Sequence, residues 1–330
     1  MNNGPSEKSN PILPGSPEDR MTGALVGLAV GDALGATYEF VRHPELPEKL
    51  EMIGGGPFGL APGEWTDDTS MALCLAESLL ACRRFNAVDQ MTRYLRWAEL
   101  GHLSSRPAGH PKRCFDIGVT TSRALKDFCR LGKQEGFCGS QDTDTAGNGS
   151  LMRLAPVPLF FRADSRQAVL LASESSRTTH GAREAVDGCA YFAGLLLGAF
   201  GGASKDALVG AGAFEPVPGI WGERPLADKV AAIAGGSFRL KPISDLRGSG
   251  YVIDTLEAAL WAFWSTHSFE EGCRAVIALG EDTDTTAAVF GQIAGAFYGF
   301  SGIPERWSRR LARRELILRT AQRLVIEAPA

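Results

Sequence analysis

The sequence lacks most of the features that announce a partner on sight. Its seven cysteines (Cys74, Cys82, Cys114, Cys129, Cys138, Cys189 and Cys273) are odd in number and scattered, without a C-x-x-C pair. That pattern excludes a disulfide framework and a zinc knuckle and points to a reducing compartment. Positive charge is not in excess, since 34 Lys and Arg against 38 Asp and Glu leave a formal net charge of −4. A general binder of phosphate backbones is thereby disfavoured, and nucleic acid is not expected as a partner. No apolar run reaches about 18 residues without a charge, so no membrane span is expected. Met1 to Pro17 has neither a basic start nor an apolar core, is not read as a signal peptide, and leaves a cytoplasmic location as the expectation. Alternating strand patterns are scarce as well.

What remains is a composition that can fill a core, with 44% hydrophobic and 22% charged residues in 330, and its periodicity is helical. Ser16-Pro17-Glu18-Asp19 supplies an N-cap, a proline at the first helical position and early acids, predicting a helix over Met21 to Tyr38. Further helices are predicted over Ser70–Phe85, Val88–Leu100, Thr120–Leu131, Arg166–Ser176, Ala182–Phe200, Asp254–Trp264, Phe269–Leu279 and Pro304–Ile326. Glu215 to Gly250, rich in Pro and Gly, reads as loops around one short helix near Leu226–Ala234. The expected class is all-α. Residues 1–17, with prolines at 5, 11, 14 and 17, read as a flexible arm ahead of one domain over 18–330.

Glycine is placed with a period. Gly23, Gly27, Gly31 and Gly35 recur every fourth residue in the first helix, and Gly291, Gly295 and Gly299 repeat the spacing near the other end of the chain. In an exposed helix each would cost roughly 1 kcal/mol relative to alanine. The spacing therefore predicts two buried helices packed backbone to backbone.

Acids are clustered in the same economical way. "WTDDTS" places Thr66, Asp67 and Asp68 at one helix start, and "GEDTDTT" places Glu281, Asp282, Asp284 and Thr285 at another. A single acid suffices to cap a helix, and adjacent carboxylates repel. A pair on each of two helices is better explained by a cation between them, and oxygen ligands without a His pair favour Mg²⁺ or Mn²⁺ over zinc. An EF-hand loop from Asp282 fails, because its sixth and twelfth positions are Ala287 and Ile293 rather than Gly and Glu. A D-x-D-x-T phosphatase motif at Asp282–Thr286 is a remote alternative, which would require a parallel α/β sheet. A second DTDT, at Asp142–Thr145, reads as a loop coincidence.

Five stretches in order, "GALVGLAVGDALGATYEF", "WTDDTSMAL", "FDIGVTTSRAL", "GNGSLMRLAPV" and "GEDTDTTAAVFGQIAGAFYG", resemble the ADP-ribosylglycohydrolase family. The resemblance is to its bacterial branch, typified by dinitrogenase reductase-activating glycohydrolase, and covers Arg20 to Ser301. It implies a single compact orthogonal all-α domain with a two-metal cleft. By that resemblance Thr66, Asp67, Asp68, Asp282, Asp284 and Thr285 ligate two divalent cations, Mg²⁺ or Mn²⁺. Glu39, Asp67 and Asp116 would be catalytic, with Glu39 beside the metal-bound water and Asp116 over the distal ribose. Asn148, Gly149, Ser150, Met152, Arg153, His180 and Tyr251 would contact ADP-ribose. Glu281 departs from the family pattern, which commonly has a small residue or an amide there.

The implied reaction is hydrolysis of the N-glycosidic bond joining ADP-ribose to an arginine side chain, reversing an ADP-ribosyltransferase. The substrate partner would be an ADP-ribosylated protein. An immunity protein that neutralises an ADP-ribosylating toxin, by hydrolysis or by blocking with the N-terminal arm, is the alternative.

Overall fold

The structure, a computed structural model, describes residues 12–106, 110 and 114–329. The expected arm therefore falls outside the described residues over 1–11, and the first helix starts at Pro17. Its start follows the capping signal: the Ser16 hydroxyl accepts from the Asp19 N–H, with Pro17 and two acids in the first turn. In chain order the helices are α1 (Pro17–Gly35), α2 (Asp67–Cys82), α3 (Ala87–Leu100), α4 (Val119–Arg130), α5 (Pro156–Phe160), α6 (Ser165–Arg177), α7 (Arg183–Phe200) and α8 (Lys205–Val209). They continue as α9 (Ile220–Glu223), α10 (Asp228–Ala234), α11 (Val252–Ser265), α12 (Phe269–Ile277), α13 (Thr283–Tyr298), α14 (Glu305–Arg310) and α15 (Arg314–Ile326). Among the described residues extended pairing is confined to isolated bridges, such as Ser140 with His180 and Gly147 with Tyr251. The architecture is all-α, and the parallel sheet demanded by a D-x-D-x-T phosphatase is absent from the described residues.

The glycine seam fixes the centre. Helix α1 is buried on every side from Met21 to Gly35 and runs antiparallel to α13, which is buried from Thr283 to Ala296. A Cβ added to Gly27 would sit 2.2 Å from the Gly291 carbonyl oxygen, and one added to Gly31 would sit 2.0 Å from that of Ala287. Those separations are impossible for real atoms, so the two backbones touch only because side chains are missing there. Asp32 on α1 is thereby carried beside Asp284 on α13. The remaining helices surround this pair, with one continuous core that includes Trp65, Trp97 and Trp307.

One expected element divides. Pro304–Ile326 forms two helices, with Arg313 left-handed at φ +50° between them. The physical reason lies in the loop ahead of α2. Ala312 N–H donates to the Gly63 carbonyl at 2.8 Å, and the Trp65 indole donates to the Ala312 carbonyl at 3.0 Å. These tertiary bonds replace helical ones and break the pattern that periodicity alone suggested. Short α5, α8 and α9 are additional to the helices expected, in segments too brief to show a period.

Candidate active site

Two helix starts and one helix interior converge on a single cavity. Thr66 and Asp282 stand at the N-caps of α2 and α13, yet neither side chain makes a capping hydrogen bond. The acids are thus not accounted for as helix caps. Asp32 organises them instead. Its Oδ1 accepts from Thr66 N and Oγ1 at 2.8 and 2.9 Å, and its Oδ2 accepts from Thr69 N and Oγ1 at 3.0 and 2.6 Å. Four donors on one buried carboxylate anchor the start of α2 to the middle of α1.

Around this anchor the carboxylates crowd. Thr66 Oγ1 lies 3.1 Å from Asp68 Oδ2 and 3.2 Å from Asp284 Oδ2, besides Asp32, and has one proton to share among three acceptors. Asp32, Asp68 and Asp284 form one set whose oxygens lie within 4.8 Å of one another, and Glu39, Asp116 and Asp284 form a second. Asp284 belongs to both. Asp68 Oδ1, Asp284 Oδ1 and Glu39 Oε2 are buried without a hydrogen-bond partner among the described residues. None of these acids is paired with a Lys or Arg among the described residues. Buried acceptors left open in this way fit a metal ion of hard-oxygen preference.

Electrostatics report the same crowding. Burial, then the neighbouring Asp116, Asp282 and Asp32, pushes Glu39 up to about 9. Burial pushes Asp116 up to about 7, partly offset by a hydrogen bond with Asp284. Asp67, Asp68 and Asp284 are driven well above the usual carboxylate range, first by burial and then by the nearest acids. Asp32 is raised by burial alone, against its four hydrogen bonds.

The acids open on a cavity of about 600 Å³, lined in part by Glu39, Asp67, Asp116, Asn148, Gly149, Met152, His180, Asp282 and Thr285. Most of the residues expected from sequence are therefore brought together. Asn148 ties the cavity walls, since its Nδ2 donates to Asp282 Oδ2 at 2.8 Å and to Thr255 Oγ1 at 2.9 Å. Asp116 is left-handed at φ +57°, and helix α4 is capped by Gly118 without a side-chain bond, so Asp116 serves the cavity rather than the helix. A non-glycine residue held there stores strain of the kind that collects at functional sites. Phe40 and Glu281, at φ +62° and +65°, also line the cavity. Their segments are joined by Phe40 N–H to Glu281 O at 2.7 Å and Glu281 N–H to Val41 O at 3.0 Å.

Three expected contact residues lie elsewhere. Ser150 is 2% exposed, and its Oγ lies 2.8 Å from Ser176 Oγ, whose own proton goes to the His180 carbonyl, and accepts from the Cys189 thiol at 3.4 Å. Arg153 is 1% exposed and packs on the Tyr94 ring. Tyr251 is half-buried, with its hydroxyl bonded to Glu184 and accepting from Lys229 Nζ at 2.7 Å, while its neighbours Ser249 and Gly250 line the cavity. Asp142–Thr145 forms an exposed 3₁₀ turn outside the acid sets. Asp32 is the functional residue that sequence reasoning missed. The signal was available as an acid between Gly31 and Gly35 in a helix whose other residues from Gly23 to Gly35 are Gly, Ala, Leu and Val, where burial without a role would be costly.

The geometry has counterparts in known proteins. The ADP-ribosylglycohydrolase family profile matches residues 13–330. A relative from Serratia proteamaculans, an ADP-ribosylarginine hydrolase Tri1, is 41% identical over 311 residues, covering 94% of this chain and 80% of that one. The ADP-ribosyl-[dinitrogen reductase] glycohydrolase of Rhodospirillum rubrum is 30% identical over 300 residues, covering 90% and 91%. A solved structure titled as an ADP-ribosylglycohydrolase-related protein complex superimposes with a TM-score of 0.81 at 44% identity, covering 95% of this chain and 99% of that chain. Glycine-seamed helices, two acid-bearing helix starts and a match over nearly the full chain agree, and the chain belongs to the ADP-ribosylglycohydrolase family.

Proposed function

We propose that this chain is a metal-dependent hydrolase that removes ADP-ribose from an arginine side chain of a modified protein. The observation that carries the reading is a cavity holding buried, partnerless carboxylate oxygens on one side and the glycine-rich Gly147–Gly149 loop on the other. The arginine linkage is supported by the names of the relatives that are 41% identical. Thr66, Asp67, Asp68, Asp282, Asp284 and Thr285, joined by Asp32, would hold two Mg²⁺ or Mn²⁺ ions. Bound there, such ions supply Lewis acidity that acidifies water and orients hydroxyl groups.

The protein's own groups divide the remaining work. Glu39 lines the cavity with Oε2 unpartnered among the described residues, and its carboxylate, ionised once cations offset the neighbouring acids, would take a proton from attacking water. Asp116 would face the distal ribose and stabilise positive charge developing at its anomeric carbon. The water oxygen bonds to that carbon, the C–N pair returns to the guanidino nitrogen, and the proton from water keeps the departing arginine cationic. Gly147–Gly149 lets the backbone approach the ligand closely. Phe40, 68% exposed, lines the cavity with Glu281, to whose carbonyl its N–H donates.

The test is release of ADP-ribose from a mono-ADP-ribosylated arginine protein, with Mg²⁺ and then with EDTA, followed by mass spectrometry of both products. The expected result is metal-dependent release with unmodified arginine regenerated. Release that persists in EDTA, or a residual mass on arginine, overturns it.

A further inference from the structure

Arg153 poses a problem that the reaction does not solve. Its guanidinium is buried, and no carboxylate pairs with it among the described residues. It donates to Thr179 Oγ1 at 2.6 Å, approaches Thr178 Oγ1 at 3.5 Å and Met71 Sδ at 3.8 Å, and sits 4.5 Å from the Tyr94 ring centroid. Burying an arginine without an acid is costly, so its position calls for a return elsewhere.

The return is visible one residue further on. Thr179 Oγ1 also lies 2.8 Å from His180 Nδ1. Arginine only donates, so one lone pair of the Thr179 hydroxyl is already committed. If Nδ1 carried a proton and donated to the same oxygen, the hydroxyl's own proton would need another acceptor. None is within hydrogen-bond reach of Thr179 among the described residues. The consistent arrangement is Arg153 to Thr179 to Nδ1, which leaves the ring proton on Nε2.

Nε2 is the ring nitrogen that lies against Gly147 and Gly149, which line the cavity. His180 is 3% exposed yet lines it, and Nε2 has no protein acceptor among the described residues. The Gly147 and Gly149 backbones pack against the imidazole so closely that added Cβ atoms would lie 3.3 and 3.1 Å from Nε2. The main chain is clamped too, by His180 N–H to Ser176 O at 2.7 Å and Ser176 Oγ to His180 O at 2.9 Å. Burial, followed by the charge of Arg153, holds the imidazole down at about 3, so it stays uncharged at neutral pH.

We infer that Arg153, Thr179 and His180 form a relay that fixes His180 as an Nε2–H donor to a diphosphate oxygen of bound ADP-ribose. Arg153 and Thr179 are positioning residues in this relay: they act on the ligand through His180 and do not touch it. The diphosphate is chosen because it is the anionic part of the ligand. The other cavity wall carries carboxylates, whereas the guanidinium behind His180 supplies positive potential. The inference rests on the ADP-ribose reading of the cavity.

The test combines nitrogen NMR of the histidine ring with ADP-ribose titration calorimetry on the full chain. The wild-type protein should show His180 protonated at Nε2 and bare at Nδ1. Thr179→Val, which keeps the shape and removes the hydroxyl, should mix the tautomers and weaken ADP-ribose binding about tenfold, the loss of one well-placed hydrogen bond. Thr179→Ser should restore both. A wild-type ring protonated at Nδ1 overturns the relay even if Thr179→Val fails to fold. Unchanged affinity in Thr179→Val, with wild-type binding intact, overturns the relay alone. Absence of ADP-ribose binding by the wild-type protein overturns the cavity reading and the relay together.

Discussion

The carboxylate wall of the cavity, carried by α1 and the turn after it, α2 and α13, leaves oxygens of Asp68, Asp284 and Glu39 buried and, among the described residues, open. The wall carried by Gly147–Gly149 and His180 is settled by contrast, since Arg153, Thr179 and Ser176 fix the imidazole and its main chain through protein hydrogen bonds. One wall is held in mutual repulsion until opposite charge arrives. The other is arranged before any ligand does. In physical terms the first stores electrostatic cost that binding can release, and the second has already met its ordering cost during folding.

The sharpest way to break this contrast is to neutralise the residue common to both acid sets. Asp284→Asn should reduce ADP-ribosylarginine hydrolysis by about 10³-fold or more, since on the proposed function it would remove a cation ligand worth several kcal/mol to the transition state. The same substitution should raise the melting temperature in EDTA, because it relieves repulsion with Glu39, Asp116 and Asp68. Loss of activity together with lowered metal-free stability would show that the wall is structural rather than strained.

A pH scan probes the same strain without mutation. Glu39 at about 9 and Asp116 at about 7 are raised above their unfolded values, so the folded, metal-free protein binds more protons than the unfolded chain. Stability contributed by those protons is present at low pH and is lost as pH rises. In EDTA the melting temperature should fall from about pH 5 to pH 9, as unfolding free energy drops by up to about 1.4 kcal/mol per pH unit for each group that stays protonated in the fold. Added Mg²⁺ should flatten or reverse the slope, which differential scanning calorimetry can follow. A metal-free stability that climbs through this range would contradict the unpaired carboxylate wall.

How much of this was legible beforehand depends on the scale of the interaction. The α1–α13 seam was readable from Gly23, Gly27, Gly31 and Gly35 against Gly291 and Gly295, because a costly residue repeated with a period implies a contact. Asp67, Asp68, Asp282 and Asp284 stood out for the same reason, as acids in excess of what caps need, and the fold gathers them at the cavity and the acid sets beside it. Asp32 was not singled out, since one acid inside a glycine helix carries no period and its partners lie 34 and 37 residues away. Arg153 and Ser150 sit in a motif shared with the loop that meets the cavity, and sequence spacing does not tell which side chains of a turn face inward. The break at Arg313 depended on tertiary bonds from Gly63 and Trp65, which no local pattern records.

The settled wall can be disturbed more gently. Gly149→Ala would place a Cβ 2.8 Å from His180 Cε1 and 3.4 Å from Thr121 Oγ1. The imidazole must turn to admit it, at a cost near 1–3 kcal/mol. ADP-ribose affinity should drop about tenfold while Mg²⁺ affinity stays within about twofold, read by calorimetry on the same preparation. Equal losses for both ligands would mean that the two walls are coupled through Asn148, which donates directly to Asp282.

The smallest effect is expected where the walls meet solvent. Glu281 adds a further acid directly before Asp282, and it lines the cavity half-buried, with a left-handed backbone at φ +65°. Its main chain joins Phe40 and Val41, so the fold uses its backbone irrespective of the side chain. A carboxylate that water can still reach contributes through a screened field rather than through a bond. Glu281→Gln should therefore weaken Mg²⁺ binding by only about twofold, with the difference vanishing at high salt. A larger, salt-insensitive loss would make Glu281 a ligand and extend the carboxylate wall to the rim. An unchanged metal affinity with weakened binding of arginine-containing substrate would instead place Glu281 on the path of the departing guanidinium, beside the ring of Phe40.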